Sequence, residues 1–181
     1  NYFYNWVGFQ AQNAEQAFIG GAEFSFNSMG KIGEVDLTTL LGYTYMYPIS
    51  LNKDSIYKLS FSDPSTNMLK YRFNHMAKAD IQATYKAFSI GISSRYNSYM
   101  KNIDRVFEDG VLGEELLVGM ANYRSVFNKG VAVFDARFGY QINEAFKVNF
   151  IANNLFNKEY VSRPGDVQAP RNFILQMQLA L

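Results

Sequence analysis

Few residues of this sequence could take part in catalysis, and they do not form a known combination of nucleophile, base or metal ligands. The sequence has one histidine, His75, and no cysteine, which excludes a metal site with two histidines or with thiolate ligands. His75 and a serine of a neighbouring strand could hydrolyse a lipid, but a solvated loop histidine is the favoured interpretation. Glu108 with Asp109, and Glu114 with Glu115, could bind calcium, and a solvated loop is again favoured. We therefore expect neither an enzyme nor a cofactor.

The composition of the 181 residues favours a folded protein without membrane-spanning helices. Hydrophobic residues make up 48% and aromatic residues 17% of the chain, which is too apolar for disorder. The net charge of +1 provides no general attraction to nucleic acid, so we expect no nucleic-acid partner. No uninterrupted apolar stretch approaches the ~18 residues that a transmembrane helix requires.

Hydrophobic alternation with a period of two is the dominant pattern of the chain. Between Val35 and Tyr47 the odd positions are apolar except for Thr39, while the even positions are mixed. This pattern predicts a β-strand with one apolar and one mixed face. Seven segments show it: 18–27, 35–47, 79–87, 88–100, 132–142, 146–153 and 173–181. Residues 1–7 are a candidate for the end of an eighth strand.

The connections between the predicted strands alternate between short and long. Long connections are predicted at 48–76, 101–129 and 157–172. In an antiparallel meander this alternation places all short turns at one end, as in outer-membrane barrels with short periplasmic turns and long extracellular loops. The strands, about nine to thirteen residues long, fit a bilayer crossing of ~9–11 residues better than the average soluble strand. A soluble β-sandwich or lipocalin-like barrel is the less favoured alternative.

The two predicted faces of the strands favour lipid on one side and water on the other. The apolar face carries Tyr and Phe, several of them near strand ends as in interfacial girdles. The other face carries Gly, Ser, Thr, Asn and charged residues. Its charged candidates for lining a wet lumen are Asp36, Arg95, Asp135 and Arg137. They could line a substrate path, or pair with one another or with a domain inside the barrel.

The last fifty residues contain three runs in a recognisable order: 133–140, then 148–160 with Asn-Leu-Phe-Asn at 154–157, then Pro-Arg-Asn-Phe at 170–173. In this order they resemble the C-terminal end of TonB-dependent outer-membrane receptors. In that family, a strand ending in Asn-Leu-Phe-Asn with a nearby Tyr precedes a final loop and a Pro/Gly-Arg-x-Phe entry into the last strand. Similarities at 17–23, 42–45 and 69–75 extend the resemblance over most of the chain.

The resemblance implies a barrel of about 22 strands around an N-terminal plug, which imports iron chelates, cobalamin, glycans or peptides with energy from the TonB complex. At roughly 9–11 residues per strand, the chain supplies about eight strands. We therefore expect residues 1–181 to be the C-terminal portion of such a barrel, without the plug domain. Outer-membrane lipid, the rest of the receptor and, through the plug, the TonB complex are the implied partners. Alternatively, eight strands close by themselves, around a lumen that small polar residues would fill poorly.

The final strand carries a candidate assembly signal that the resemblance implies. In the family this strand is read by the assembly machinery and usually ends in an aromatic residue. The alternating positions here are Phe173, Leu175, Met177, Leu179 and Leu181. Leu181 stands where the family usually has an aromatic residue, so we expect either an atypical strand end or a missing last residue.

The predicted loop 101–129 contains too many apolar residues for a purely solvated segment. Packing on neighbouring loops is the favoured interpretation, and contact with another envelope protein or with a ligand are the alternatives. The leading functional interpretation is ligand binding and import through a barrel in the outer membrane of a Gram-negative envelope. A non-transporting barrel, acting as an anchor or as a subunit of a larger envelope complex, is the second interpretation. A small outer-membrane lipid hydrolase is the third.

Overall fold

The structure is a computed structural model that describes residues 16–180. Its main element is one antiparallel sheet whose seven strands follow one another in chain order. They are β1 (Ala17–Ile32), β2 (Val35–Ser50), β3 (His75–Tyr85), β4 (Phe88–Asn97), β5 (Val131–Gln141), β6 (Phe146–Asn153) and β7 (Asn172–Leu179). The predicted all-β antiparallel meander is confirmed. The eighth strand considered at residues 1–7 and the terminal Leu181 lie outside the described residues.

Several strand boundaries differ from the prediction because pairing with a neighbouring strand, and not local sequence, decides them. β1 continues to Ile32 and pairs with β2 as far as a two-residue turn, in which Gly33 has a φ of 60°. β3 begins at His75, which pairs with Tyr45 of β2, and not at residue 79. β4 ends at residue 97, so Met100, predicted on its apolar face, is instead buried beneath the loops.

All short turns lie at one end of the sheet and all long connections at the other, as predicted. The long connections 51–74, 98–130 and 154–171 contact one another and are called the loop cap below. The cap contains the short helices α1 (Ser55–Leu59), α2 (Val106–Asp109) and α3 (Met120–Val126). Within residues 16–180, none of the helices has the length and apolar character needed to cross a membrane.

The strand register divides the side chains into an apolar face and a polar face. Ile81 pairs with Ile92 across β3 and β4, whereas their chain neighbours Asp80 and Ser93 pair on the opposite side. The same alternation continues through every neighbouring pair of strands. Large side chains of the apolar face are exposed, among them Phe24, Phe26, Ile90, Ile92, Phe138, Phe150 and Leu175.

The main buried core lies in the loop cap, although a few strand residues, such as Val133 and Ala152, are also buried. Met100, Ile103 and Met120 form its centre. The partly buried side chains packed around them are Tyr71, Phe73, Phe107, Leu117 and Tyr123. Ile103, Leu117 and Met120 of the long loop therefore pack together with Tyr71 and Phe73 of a neighbouring loop, which is the arrangement that the composition favoured. In contrast, Leu112 and Val118 of the same long loop are exposed.

Candidate functional site

The four charged residues predicted to line a lumen all lie on the polar face, but they do not form one site. Asp36 lies beside the first short turn, where its Oδ1 is 3.6 Å from Nζ of Lys31. Arg95 and Asp135 lie farther along the sheet on neighbouring strands, and Nη2 of Arg95 is 3.6 Å from Oδ2 of Asp135. In these two ion pairs, each charged side chain has a partner of opposite charge that the sequence alone does not identify.

Arg137 belongs to the most closely connected group of the polar face. Its Nη1 and Nη2 donate to the two carboxylate oxygens of Asp80 at 2.8 and 2.9 Å. Nη1 also donates to Oγ of Ser93 at 2.5 Å, and that hydroxyl donates to Asp80 at 2.6 Å. Strands β3, β4 and β5 contribute one member each. The sequence does not predict Asp80 or Ser93 as partners, because only the register of three strands brings them to Arg137.

Gly91 makes room for the Arg137 side chain on the polar face. A Cβ atom at Gly91 would lie 2.8 Å from Nη2 of Arg137, which is closer than real Cβ contacts. Gly42 lies beneath Lys78 in the same way, and an added Cβ would be 2.7 Å from Cε of that lysine. Long side chains from neighbouring strands therefore cover these glycines and occupy the space on the polar face that a residue without a side chain leaves.

A cavity that is partly open to solvent lies between the loop cap and the polar face of β4 and β5. Its aromatic rings belong to Phe73, Tyr99, Tyr123, Phe127 and Tyr160, and its guanidinium groups to Arg95, Arg124 and Arg163. No acidic residue is among its described lining residues. Guanidinium groups beside aromatic faces suit an anionic ligand with flat, unsaturated groups. Of the four predicted lumen residues, only Arg95 reaches this cavity.

Arg124 holds the loop cap together beside this cavity. Its side chain is buried, its Nε donates to the carboxylate of Glu108, and its Nη1 donates to the carbonyl oxygen of Met100 at 2.9 Å. Its guanidinium lies 4.6 Å from the ring centre of Tyr99. Arg163, in contrast, is exposed and forms no ion pair with any residue of the described chain. Arg163 is therefore the freer of the two to bind a ligand.

The tyrosines of the cavity are neutral hydrogen-bonding groups. Burial raises the pKa of Tyr99 and of Tyr123 above the ordinary tyrosine value. The Tyr123 hydroxyl accepts a hydrogen bond from the backbone N–H of Val161 at 3.3 Å, which connects α3 to the last long loop. Both hydroxyls thus stay protonated at neutral pH.

His75 is not paired with a serine through its ring. Nδ1 of His75 lies 2.8 Å from the hydroxyl oxygen of Tyr43. Oγ of Ser98 accepts a hydrogen bond from the backbone N–H of His75 at 3.1 Å, so this serine contacts the main chain and not the imidazole. The histidine–serine arrangement that a hydrolase needs is absent from the described residues around His75.

Three of the four carboxylates considered for calcium have other partners. Glu108 pairs with Arg124, and Asp109 pairs with Arg105. Glu115 accepts a hydrogen bond from the backbone N–H of Gly119 at 2.7 Å. Within residues 16–180, no group of three or more His, Cys, Asp or Glu residues is arranged to hold a metal ion.

The alternating residues of the last strand lie together on the apolar face. The exposed fractions of Phe173, Leu175, Met177 and Leu179 lie between 61% and 65%. This placement makes them available to another protein or to lipid. Their role as an assembly signal stays a prediction.

Neither protein-family models nor curated protein sequences produced a match to the chain. Solved structures do match it. The ferric-catecholate import receptor Fiu from E. coli K12, in its closed form, aligns with a TM-score of 0.64 and 21% identity over 90% of this chain and 21% of Fiu. The chain has the fold of part of a TonB-dependent receptor barrel.

Two further receptors share this barrel fold. The siderophore receptor PiuA from Acinetobacter baumannii aligns with a TM-score of 0.60 and 14% identity, over 90% of this chain and 22% of PiuA. FpvA from P. aeruginosa, in a complex with a pyoverdine and iron, aligns with a TM-score of 0.60 and 13% identity, over 90% of this chain and 19% of FpvA. The chain thus spans about a fifth of each receptor. These proteins are receptors and not enzymes.

Proposed function

We propose that this chain forms part of the wall and loop cap of a TonB-dependent receptor barrel in a Gram-negative outer membrane, which binds and imports a ligand. The observation that carries the proposal is a single sheet with an exposed apolar face and the fold of such receptors. Ile90 and Ile92 of β4 are 58% and 56% exposed in the middle of that face. Such a continuous apolar surface is unfavourable in water and favourable against lipid.

The two edges of the described sheet support a barrel with more strands. β1 and β7 are separated by an antiparallel meander, so they run in the same direction and do not pair with each other. β1 has 16 residues and β7 has 8. Unpaired backbone groups cost several kcal/mol each inside a bilayer, so both edges need strand partners. We propose that the rest of the receptor supplies them and that a plug, coupled to the TonB complex, fills the lumen.

The cavity beneath the loop cap supports an anionic ligand. Arg95 and Arg163 extend toward it from different segments, and the rings of Tyr99 and Tyr160 provide flat contact surfaces. An iron chelate with anionic oxygen donors and aromatic groups has the complementary chemistry. Fiu is described as a ferric-catecholate import receptor. We therefore propose a ferric chelate as the imported ligand, ahead of cobalamin, glycans or peptides.

Expression of residues 1–181 alone tests whether the chain is part of a larger barrel. In detergent, folded outer-membrane barrels migrate differently before and after heating. Because the outer edges of β1 and β7 have no strand partner within residues 16–180, we expect the isolated chain to migrate as an unfolded polypeptide at both temperatures. A heat-sensitive, folded band would contradict the larger barrel and favour a small barrel that closes by itself.

Uptake of a labelled ferric catecholate by cells carrying the complete protein tests the transport function. We expect Arg163→Ala to reduce uptake, because it removes an exposed guanidinium from the cavity. Arg105→Ala is the matched control, since Arg105 is also an exposed cap arginine but does not line the cavity. Uptake equal to that of cells lacking the protein would contradict the proposed transport.

One observation favours the alternative of a non-transporting subunit of an envelope complex. Leu112 and Val118 of the loop cap are 88% and 93% exposed, whereas Phe61, Ile103 and Met120 of the same cap are buried. Exposed apolar side chains at a loop end suit contact with another envelope protein. A membrane-inserted protein without uptake, whose interaction with a cap-binding partner is lost in Leu112→Ser, would favour this alternative.

A further inference from the structure

A basic pocket lies on the apolar face of the sheet, at the end where the loop cap begins. Tyr45, Tyr47 and His75 line it from the strands, and Lys101 and Lys129 line it from the cap. None of its described lining residues is acidic. Ser98 and Tyr99 line both this pocket and the aromatic cavity under the cap. The two differ in the sheet face that they border, because Tyr45 and His75 pair on the apolar face, opposite the face that carries Arg95.

The backbone around this pocket is held by several hydrogen bonds. Asn74, which is buried, donates through Nδ2 to the carbonyl oxygen of Met46 at 2.9 Å. Oγ of Ser98 accepts the backbone N–H groups of both Asn74 and His75, at 3.0 and 3.1 Å. The pocket is therefore a structured feature of the sheet end and not a gap between loose loops.

A close backbone approach brings Lys129 to the pocket. Gly130 has a φ of 97°, and a Cβ at this position would lie 2.6 Å from the carbonyl oxygen of Asn97. Only glycine fits this conformation and this spacing. The hydroxyl of Tyr96 also donates to the carbonyl oxygen of Lys129 at 3.3 Å. The end of the long loop is thus fixed against β4, with Lys129 beside the apolar face.

The two lysines keep their charge available for a ligand. Both are exposed, and neither ammonium group has a carboxylate of the described chain within 4.0 Å. Lys101 also borders a neighbouring groove that contains Asp63 and Glu108, yet it pairs with neither. Every other feature of the pocket wall is aromatic, apolar or neutral, so an anion is the complementary ligand.

His75 adds a directed hydrogen-bond donor to the pocket. Its ring lies between those of Tyr43 and Tyr45, with ring centres 6.2 and 5.2 Å away. When the hydroxyl of Tyr43 donates to Nδ1, the proton of the imidazole is on Nε2, which can donate to an oxygen of the ligand. Tyrosines at this level of a barrel wall lie at the interface between hydrocarbon and headgroups.

We propose that this pocket binds the phosphorylated headgroup of a lipid in the outer leaflet. The proposal rests on the proposed membrane placement of the chain, in which the apolar face contacts lipid and the loop cap is external. Lys101 and Lys129 bind the phosphate oxygens, His75 donates to the same group, and the rings of Tyr45 and Tyr47 contact the sugar or glycerol part. A lipid is the source of the phosphate because the pocket opens on the face that acyl chains cover.

Native mass spectrometry of the complete protein, purified in detergent, tests this site. The probes are lipid A with two phosphates, the same lipid A after dephosphorylation, and inorganic phosphate. We expect the double variant Lys101→Ala/Lys129→Ala to bind the phosphorylated lipid about 25-fold more weakly, or about fivefold for each lysine. Binding of the dephosphorylated lipid is expected to be unchanged.

Lys53→Ala is the matched control, because Lys53 is an exposed lysine of the cap that does not line the pocket. The variant Lys129→Gln removes the charge but keeps part of the aliphatic stem of the lysine, so it tests the site even where alanine disturbs the loop. Equal affinity of the double variant and the unmodified protein for the phosphorylated lipid would overturn the site. Competition by inorganic phosphate as strong as that by the lipid would also overturn it, because it would indicate a free-anion site.

Heat-sensitive migration of the same samples separates this inference from the proposed function. A protein that inserts in membranes but does not distinguish phosphorylated from dephosphorylated lipid contradicts only the headgroup site. An unmodified protein that does not insert at all contradicts the membrane placement itself.

Discussion

The strand wall and the loop cap bury their side chains in opposite ways. In the wall, large apolar residues point outward, and Phe24 and Leu175 are 60% and 61% exposed. In the cap, Phe61 and Ile103 are 1% and 0% exposed. The cap therefore folds around its own core as a water-soluble domain does, whereas the wall depends on its surroundings to cover its apolar face.

Polar groups follow the same division. The cap satisfies its buried polar side chains internally: Asn102, which is fully buried, donates to the carbonyl oxygen of Met68 at 2.9 Å and accepts from the backbone N–H of Asp63 at 2.8 Å. The wall relies on the backbone ladder between strands. The free-energy cost of a mutation in this protein therefore depends first on which of the two regions contains it.

We expect removal of the buried arginine of the cap to destabilise the protein more than any other substitution considered. Arg124→Ala leaves the carboxylate of Glu108 and the carbonyl oxygen of Met100 without their donor. Breaking a buried ion pair from one side costs about 3–5 kcal/mol. We expect the cap to open while the wall stays folded, and hydrogen exchange should accelerate at the amide of Tyr71, which donates to the carbonyl oxygen of Asn102 at 2.8 Å.

Arg105→Ala is the control for the arginine variant. Arg105 pairs with Asp109 on the exposed side of the same loop, and a pair of this kind contributes less than about 1 kcal/mol. Equal exchange rates in the two variants would show that the cap is not held by its buried network.

The second prediction compares two leucines that are chain neighbours on opposite faces of β2. Leu40 and Leu41 are 38% and 36% exposed, so their accessibility alone does not distinguish them. Leu41→Arg places a charge on the apolar face and is expected to cost about 2–4 kcal/mol in a bilayer. Leu40→Arg places the same charge on the polar face opposite Asp80 and is expected to be nearly neutral.

Urea unfolding of the complete protein in lipid vesicles measures both leucine variants. The two substitutions have the same residue types and nearly the same depth, so their difference isolates the environment of the two faces. Equal destabilisation by the two variants would be inconsistent with lipid on the apolar face alone.

The strands of the wall are predictable from the sequence because a period of two is a local property. The end of β4 at residue 97 is not predictable in this way, since the alternating pattern continues to Met100, which the cap buries. The same limit applies to β1, whose last residues pair with β2 although their own alternation is weak. Local pattern thus predicts where strands exist, and tertiary contacts determine where they end.

The candidate site was predictable only in part. The sequence places Asp135 and Arg137 on one face, one pleat apart, which suggests that they pair with each other. In the structure Asp135 pairs with Arg95, and Arg137 binds Asp80, 57 positions away. Choosing the correct partners requires the register of three strands, which no single segment contains. The aromatic cavity joins residues of four separate segments, around 73, 95–103, 120–133 and 160–164, and leaves no local signal for the same reason.

The third prediction concerns the polar face, where we expect smaller effects because water is available. Gly91→Ala places a methyl group where the Arg137 guanidinium lies and moves it away from Asp80. The loss of this half-exposed pair is expected to cost about 1 kcal/mol. In an Arg137→Ala background the same substitution should have little effect, because nothing is left to displace. Additive costs in this double-mutant cycle would contradict the assigned contact.

The smallest expected effect returns to the cap and depends on pH. Burial, together with the hydrogen bond that the Tyr71 hydroxyl donates to Asp104, raises the pKa of Tyr71 above its ordinary value. The neutral hydroxyl is therefore favoured in the folded cap. Its contribution to stability is complete below the unfolded tyrosine pKa of about 10 and is lost as the pH rises through the higher folded-state pKa.

Methyl signals of methionines report separately on the two regions during an alkaline titration. Met100 and Met120 lie in the core of the cap, whereas Met177 lies on the exposed apolar face of β7. We expect the signals of the cap methionines to change at a lower pH than the signal of Met177, because tyrosine ionisation opens the cap first. Tyr71→Phe removes one of the ionising groups and should move the cap transition to higher pH. Tyr140→Phe, on the exposed face of β5, should leave the pH of the cap transition unchanged. If neither substitution moves the cap transition, Tyr71 ionises without opening the cap.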